Sequence, residues 1–492
     1  MKQTLTVNNF VDLPSLHPHL LIHHFRGRVA SKILFEGLTR LNQEGEAELT
    51  GATSVDISPD GKHYTFILRD MQWSDGTAVT AEHFAQAWKH ALSPQSDCPR
   101  ADLFYCILNA KAAKKGDLPL DAIGVQALDH KTLSIDLAQP CPHFLKLLAQ
   151  PIFAPLINPA EEPKQFNGPF KVNNWEKGKC LELIANPTYW NYPQVKLDAI
   201  KMYAIADDAT SMGMYEKKEL DWMGNPFASL SSEAIVYLQS MDALHRRAVE
   251  RMFYLYFNTD HPVLSCLPIR QALNLALNRS LITQHIFISG EPLSKPISMD
   301  VLPHTSLSLS ADITEATQLF QQGLEELRLT SETLPPLTIS YANEPSYKAF
   351  AQYLQETWSK AFGIRVKLEG SDWVCFRSKL EKGEFEIGGC VESMIDNDPL
   401  DILQRFEDTS SGCNFPRWVN VHYQEKIAQA KEESKLQKRT QLLMEAENIL
   451  IKEVPFATIC TWPNVYTHHP KLKGYIIDHT GCVDFTSAYF EN

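Results

Sequence analysis

Nothing in the 492-residue chain approaches the roughly 18 consecutive apolar residues that a membrane-crossing helix needs. Positive charge is in short supply: 46 Lys and Arg against 59 Asp and Glu leave a net charge of −13. A chain this acidic is a poor general binder of nucleic acid or anionic lipid, so no nucleic-acid partner is expected. Glycine is sparse as well, 22 against 29 prolines, which speaks for ordered loops rather than flexible linkers. The nucleotide and hydrolase signatures are missing: there is no G-x-G-x-x-G, no Gly-Lys-Ser/Thr, no H-E-x-x-H and no G-x-S-x-G. Gly178-Lys179 runs into Cys180, which lacks the hydroxyl that a phosphate-binding loop offers to Mg²⁺. No catalytic residue and no cofactor are therefore assigned.

The ten cysteines are dispersed between Cys98 and Cys482 without a C-x-x-C pair, and are expected to be mostly buried free thiols. His17, His19, His23 and His24 form the one local histidine cluster. Neutral imidazoles bind Ni, Cu or Zn, but loop residues packed by their neighbours explain the cluster as well, and no metal ligand is assigned.

What is present is the composition of folded domains, 44% hydrophobic and 21% charged. At about 150 residues each, the length allows two to four of them. Tyr64 to Leu68 reads as a strand after the turn Ser58-Pro59-Asp60-Gly61. Thr80 caps a helix in which Phe84, Ala87, Trp88, Ala91 and Leu92 share one face, with Val79 and Phe84 as a hydrophobic staple and Ser93-Pro94 as the stop. Ile123 to Leu137 reads as two strands about the turn Asp129-His130-Lys131. Prolines from Pro151 to Pro169 mark a crossing between domains. Cys180 to Ile184 and Ala199 to Tyr203 are strands, and Phe253 to Asn258 suits a strand buried on both faces. Ile269 to Ile288 is helical in pattern. Helix over Ile313 to Leu327, strand over Leu337 to Ala342, helix over Tyr347 to Phe362 closed by Gly363, and strand over Ile364 to Leu368 argue for a parallel α/β lobe. A last helix runs from about Ser434 to Lys452.

Five blocks in order carry a family resemblance. They are Ile33-Leu34-Phe35-Glu36-Gly37-Leu38; Trp73-Ser74-Asp75-Gly76 with Val79-Thr80-Ala81-Glu82-His83-Phe84; Asn186-Pro187-Thr188-Tyr189-Trp190-Asn191; Ile269-Arg270-Gln271-Ala272-Leu273 with Ala276-Leu277-Asn278-Arg279; and Asn397-Asp398-Pro399. From about residue 5 to 490 the chain resembles the bacterial extracellular solute-binding proteins of the oligopeptide, dipeptide and nickel type, nearest to the oligopeptide binders of ABC importers. The blocks themselves read as scaffold. The resemblance implies an α/β, two-lobed periplasmic binding protein-like fold (class II) with an extra small domain, the ligand enclosed between lobes by hinge closure. It implies domain I from 1–48, 166–254 and 471–492, domain II from 49–165, and domain III from 255–470, with Phe253 to Asn258 as a hinge strand. It further implies a monomeric, periplasmic mature chain behind a leader or lipid-anchored precursor, with ABC transporter permease subunits as partners. Its ligand would be a peptide or peptide-like molecule held as an added β-strand.

Carried over residue by residue, the strand-pairing segments fall on His23, His24, Phe25 and Arg26, and on Val391, Glu392, Ser393 and Met394; Tyr105 and Trp373 match pocket aromatics. The charged anchors depart from the family. The acidic anchor position holds Ile395, with Asp396 one residue later and Asp398 before Pro399. The positions that offer basic groups hold Tyr347, Leu380 and Gly389. Asp396 is expected to pair with a ligand ammonium, Glu392 being the competing acid, and Arg26 and Arg28 to supply compensating positive charge. These departures suit a cell-wall murein peptide, a modified peptide or another polar metabolite. A metal or metal-chelate binder on the same fold and an enzyme with an interlobe site are the other readings.

Overall fold

The computed structural model describes residues 3–9, 12–21, 25–42, 44–298, 301–302, 311–394, 398–409, 412–433 and 435–491. Two compact units emerge: Met1–Val249 with Asn464–Asn492, and Glu250–Pro463.

The first unit has two larger sheets, beside three two-stranded pairs among the described residues. Its larger sheet has β1 (Thr4–Asn9) near the middle. Two segments of alternating apolar residues, β7 (Cys180–Ala185) and β8 (Ala199–Ala204), stand on one side, with β6 (Phe170–Glu176) at that edge. On the other side lie β9 (Trp222–Gly224), β16 (Asn464–His468) and β10 (His245–Arg247). β1 runs parallel to both of its neighbours, β8 and β9.

The smaller sheet has the order β2 (Ala52–Ile57), β3 (His63–Leu68), β5 (Thr132–Asp136), β4 (Val125–Ala127), all antiparallel. In β3 the side chains of Tyr64, Phe66 and Leu68 are buried while His63 and Ile67 are exposed, the period-two pattern of a half-buried strand. Helix α2 (Ala81–Ala91) starts after Thr80, whose N–H donates to His83 Nδ1 at 3.0 Å. Phe84, Ala87, Trp88 and Ala91 are buried as their spacing requires, and Trp88 Nε1 donates to the Phe153 carbonyl at 3.0 Å.

The second unit carries one five-stranded sheet, in the order β13 (Val366–Ser371), β12 (Leu337–Ala342), β14 (Ile387–Ser393), β11 (Arg251–Phe257), β15 (Phe456–Thr461). The expected β–helix–β order appears as β12, α6 (Pro345–Phe362) and β13, with β12 parallel to both β13 and β14. The sheet is nonetheless mixed, because β11 is antiparallel to both of its neighbours. Gly363 closes α6 at φ 68°, a left-handed position that glycine fills without steric cost.

The strand expected over Phe253 to Asn258 is β11, Arg251–Phe257; it begins just after the unit boundary at Val249 and Glu250 and is fully buried and paired on both edges within the second unit. Two expectations need correction. The helical pattern over Ile269 to Ile288 is two helices, α3 (Leu267–Leu275) and α4 (Arg279–His285). Asn278 accepts from Leu281 N at 3.0 Å, so it starts a new helix rather than continuing the old one. Finally, β13 begins at Val366, two residues later than the apolar pattern at Ile364 suggests.

Candidate ligand-binding site

Six of the residues singled out in the sequence come together in the second unit. Val391, Glu392 and Ser393 end β14, and Met394 follows, buried. On one edge β14 pairs with β11, from Ile387 opposite Phe257 to Ser393 opposite Arg251. On its other edge it pairs with β12 only at Ile387 and Gly388. From Gly389 to Ser393, among the described residues, no strand covers that second edge. Tyr347, in the first turn of α6, is buried and bonded to the Val391 backbone; burial pushes its phenol well above the usual range. Trp373 opens helix α7 (Trp373–Lys382), packs edge-on to Tyr347 with ring centroids 6.4 Å apart, and stays 39% exposed. Its neighbour Val374 is 76% exposed.

The electrostatics differ from the simple picture of an open acid. Glu392 is buried, with Oε2 2.7 Å from Arg405 Nη1 and Oε1 3.3 Å from Arg377 Nη1. Burial works to raise its carboxyl, but the two guanidiniums outweigh burial and hold it below the ordinary glutamate range. Arg405 is anchored further by Asp401 Oδ2 at 3.0 Å and by the Ser393 carbonyl at 2.7 Å. Cys390 adds a weak S–H donation to Glu392 Oε1 at 3.4 Å. Arg377 and Arg405 were not picked out from sequence; nothing in their spacing announces that a strand and two helical segments bring them to one carboxylate.

The departures from the family pattern have local reasons. A Cβ at Gly389 would lie 2.7 Å from the Tyr254 carbonyl and 2.8 Å from the Phe253 ring, so no long basic side chain fits there. Leu380 is buried in the core. Asp398 caps the short helix α8 (Pro399–Leu403), accepting from Leu400 N at 2.9 Å, and pairs with Arg439 at 2.8 Å. Ile395 and Asp396 lie outside the described residues.

In the first unit, Arg26 sits at the start of α1 (Phe25–Leu34) and Arg28 is buried in the same helix. Tyr105 ends a single 3₁₀ turn, half-buried. His23, His24 and the Phe25 side chain are outside the described residues. His17 and His19 are buried with ring centroids 5.0 Å apart, and burial lowers both below the ordinary histidine range. His17 Nε2 bonds the Pro159 carbonyl at 3.0 Å.

Residues 48–412 match the bacterial extracellular solute-binding proteins, family 5. Along its whole length the chain is 34% identical to the oligopeptide-binding protein OppA of Bacillus subtilis (strain 168), covering 93% of that protein. The chain belongs to this family. Another relative is the periplasmic murein peptide-binding protein MppA of Escherichia coli (strain K12), 27% identical over 93% of this chain and 87% of that protein. The crystal structure of a periplasmic oligopeptide-binding protein from Borrelia burgdorferi superposes with a TM-score of 0.90 at 24% identity, with 100% of both chains covered. The fold is thus the α/β periplasmic binding protein-like fold of class II.

The described residues of the family blocks bond to one another. Tyr189 donates its hydroxyl to Glu36 Oε2 at 2.7 Å, and Thr188 Oγ1 donates to the Trp73 carbonyl at 3.0 Å. Three blocks distant in sequence are thereby tied into one knot. Arg40 adds contacts to Glu36 at 3.0 Å and to Asp484 at 2.7 Å. In the second unit Arg270 donates to the carbonyls of Leu264, Ser265, Glu453 and Val454, binding the start of α3 to the end of α9 (Leu436–Glu453). Among the described residues no helix is long and apolar enough to cross a membrane.

Proposed function

We propose that this solute-binding protein captures oligopeptides or peptide-like ligands, murein peptides among them, and delivers them to the permease subunits of an ABC importer, acting as a monomer outside the cytoplasmic membrane and without catalysis. The observation that carries the reading is the stretch of β14 from Gly389 to Ser393 that, among the described residues, no strand pairs on its second edge, with Tyr347 on the Val391 backbone and Trp373 packed against Tyr347. An extended peptide satisfies such an edge with its own backbone, which gives affinity with loose sequence preference. The named activities of the B. subtilis and E. coli relatives support the same ligand class. Within this reading, residues 49–165 form a domain of their own, 255–470 a second, and the remaining segments a third. Within it the backbone of Val391 to Met394 and the side chain of Asp396 are assigned to the ligand, and His23, His24, Phe25, Arg26 and Tyr105 are assigned ligand contacts of their own.

Because two arginines already neutralise Glu392, the ligand ammonium is assigned to Asp396. An enclosed ammonium must be paired, and losing its partner costs about 3 kcal/mol or more. The test is mass spectrometry of copurifying ligand followed by calorimetry with that ligand or a tripeptide. Wild type is expected to bind, and Asp396→Asn to bind about a hundredfold more weakly. Absence of peptide binding by the wild-type protein would sink the reading, and equal affinity of Asp396→Asn would sink the anchor alone.

A further inference from the structure

The first unit brings two cysteines together that lie far apart in sequence. Ala138 N donates to the Cys106 carbonyl at 2.9 Å, and Ile107 and Leu137 form an isolated antiparallel bridge. Cys141 lies just beyond that bridge, after Pro140, and opens a turn in which its carbonyl accepts from Phe144 N at 3.0 Å. Cys106 Sγ–H donates to the Leu103 carbonyl at 3.9 Å, the Cys141 thiol lies within interaction range of Cys106, and that contact together with burial holds the Cys141 thiol well above the ordinary range. His143 Nε2 lies 3.5 Å from Cys141 Sγ. Cys141 is buried, whereas Cys106 is only partly so. A thiol reachable from solvent, a second thiol against it and an imidazole on the second thiol are the parts of an exchange site.

We propose that Cys106 and Cys141 are a dithiol modification site that closes to a disulfide by exchange with a small-molecule disulfide such as oxidised glutathione. Cys106, the accessible partner, attacks as its thiolate on one sulfur of the oxidant. The oxidant's S–S bond breaks, one of its halves leaves as thiolate and takes a proton, and Cys106 becomes a mixed disulfide. Cys141 then passes its proton to His143 Nε2 and attacks Cys106 Sγ. The Sγ–Sγ bond forms, and the second half of the oxidant leaves, taking the proton from His143. Two protein thiols have lost two electrons, and one oxidant disulfide has become two thiols. His143 is a positioning and proton-accepting group for Cys141. The new bond ties the turn that follows Tyr105 to the loop after β5. The closed ring runs from 106 to 141, long enough for loop-closure entropy to raise the melting temperature by about 5 °C.

The experiment uses the full chain, reduced with dithiothreitol, desalted, exposed to oxidised glutathione, quenched with iodoacetamide and digested for mass spectrometry. The Cys106–Cys141 linked peptide is the expected product, while the exposed Cys375 ends as a glutathione adduct. The Cys141→Ser protein is expected to stop at the Cys106 mixed disulfide. His143→Asn is expected to slow closure about tenfold or more without changing the product. Recovery of wild-type Cys106 only as the glutathione adduct or as the alkylated thiol, with no linked peptide, overturns the proposal. An unchanged closure rate in His143→Asn overturns the role given to the imidazole.

Discussion

Arg405 holds Glu392 through a 2.7 Å contact between Nη1 and Oε2, and the same guanidinium reaches Asp401 at 3.0 Å. The carboxylate that ends β14 is therefore the centre of a closed charge cluster with Arg377 on its other oxygen. Removing one member leaves buried charge without its partner, which outweighs the Coulomb energy of the pair itself. Glu392→Gln is expected to cost about 3 kcal/mol of stability by urea unfolding. The cost should appear without ligand. A variant as stable as wild type but defective in peptide binding would show that Glu392 serves the ligand directly.

Tyr189 and Glu36 make the corresponding contact in the first unit, 2.7 Å between hydroxyl and carboxylate, with both residues buried. Glu36 keeps Arg40 and Thr50 as partners when the hydroxyl is removed. Tyr189→Phe is thus expected to cost only about 1–2 kcal/mol, the value of a hydrogen bond to a charged group. Thermal melting reads the loss, and calorimetry should find ligand affinity unchanged. A change in affinity larger than the change in stability would contradict a scaffold role for this block.

The elements legible in the sequence are those whose signals are local. Helix α5 (Ile313–Leu327) has the bounds its sequence pattern indicates, and α2 follows its Thr80 start. What stayed hidden depends on tertiary pairing. The apolar run at Phe253 announces a buried strand, but only the neighbours β14 and β15 make it a central one. Asn278 looks like any polar residue in an amphipathic pattern until its side chain is seen to cap Leu281. The residues of β14 were found through their likeness to a family, whereas the arginines that control Glu392 come from elsewhere in the chain and carry no motif.

Gly389 gives a direct test of how tightly the uncovered strand is packed behind. An added methyl would press on the Tyr254 carbonyl at 2.7 Å and the Phe253 ring at 2.8 Å, and the backbone atom cannot swing away as a flexible side chain would. Gly389→Ala is expected to destabilise the protein by about 1–3 kcal/mol, the range for overpacking a close-packed interior. Denaturant unfolding measures it. A neutral result would mean that β14 can shift away from β11, and a strand that shifts so easily is a poor template for an added peptide.

Glu447 sets the last expectation, a pH dependence. It lies in α9, buried, with Oε1 accepting from Ile297 N at 3.1 Å. Burial raises its carboxyl to about 7, only partly opposed by the Ile297 N–H and the nearby Lys295. The unfolded chain has its glutamates near 4.5, so between about pH 4.5 and 7 the folded protein holds a proton that the unfolded protein has released. Stability contributed by this group is complete below about 4.5 and falls as pH rises toward 7, by on the order of 3 kcal/mol. The Gln variant keeps the neutral form at every pH and so removes the slope. Urea unfolding from pH 4.5 to 7.5 should give a wild-type stability that declines relative to Glu447→Gln, the two curves separating steadily until about pH 7 and running in parallel above it. Curves parallel throughout would place the proton elsewhere and return Glu447 to an ordinary carboxylate.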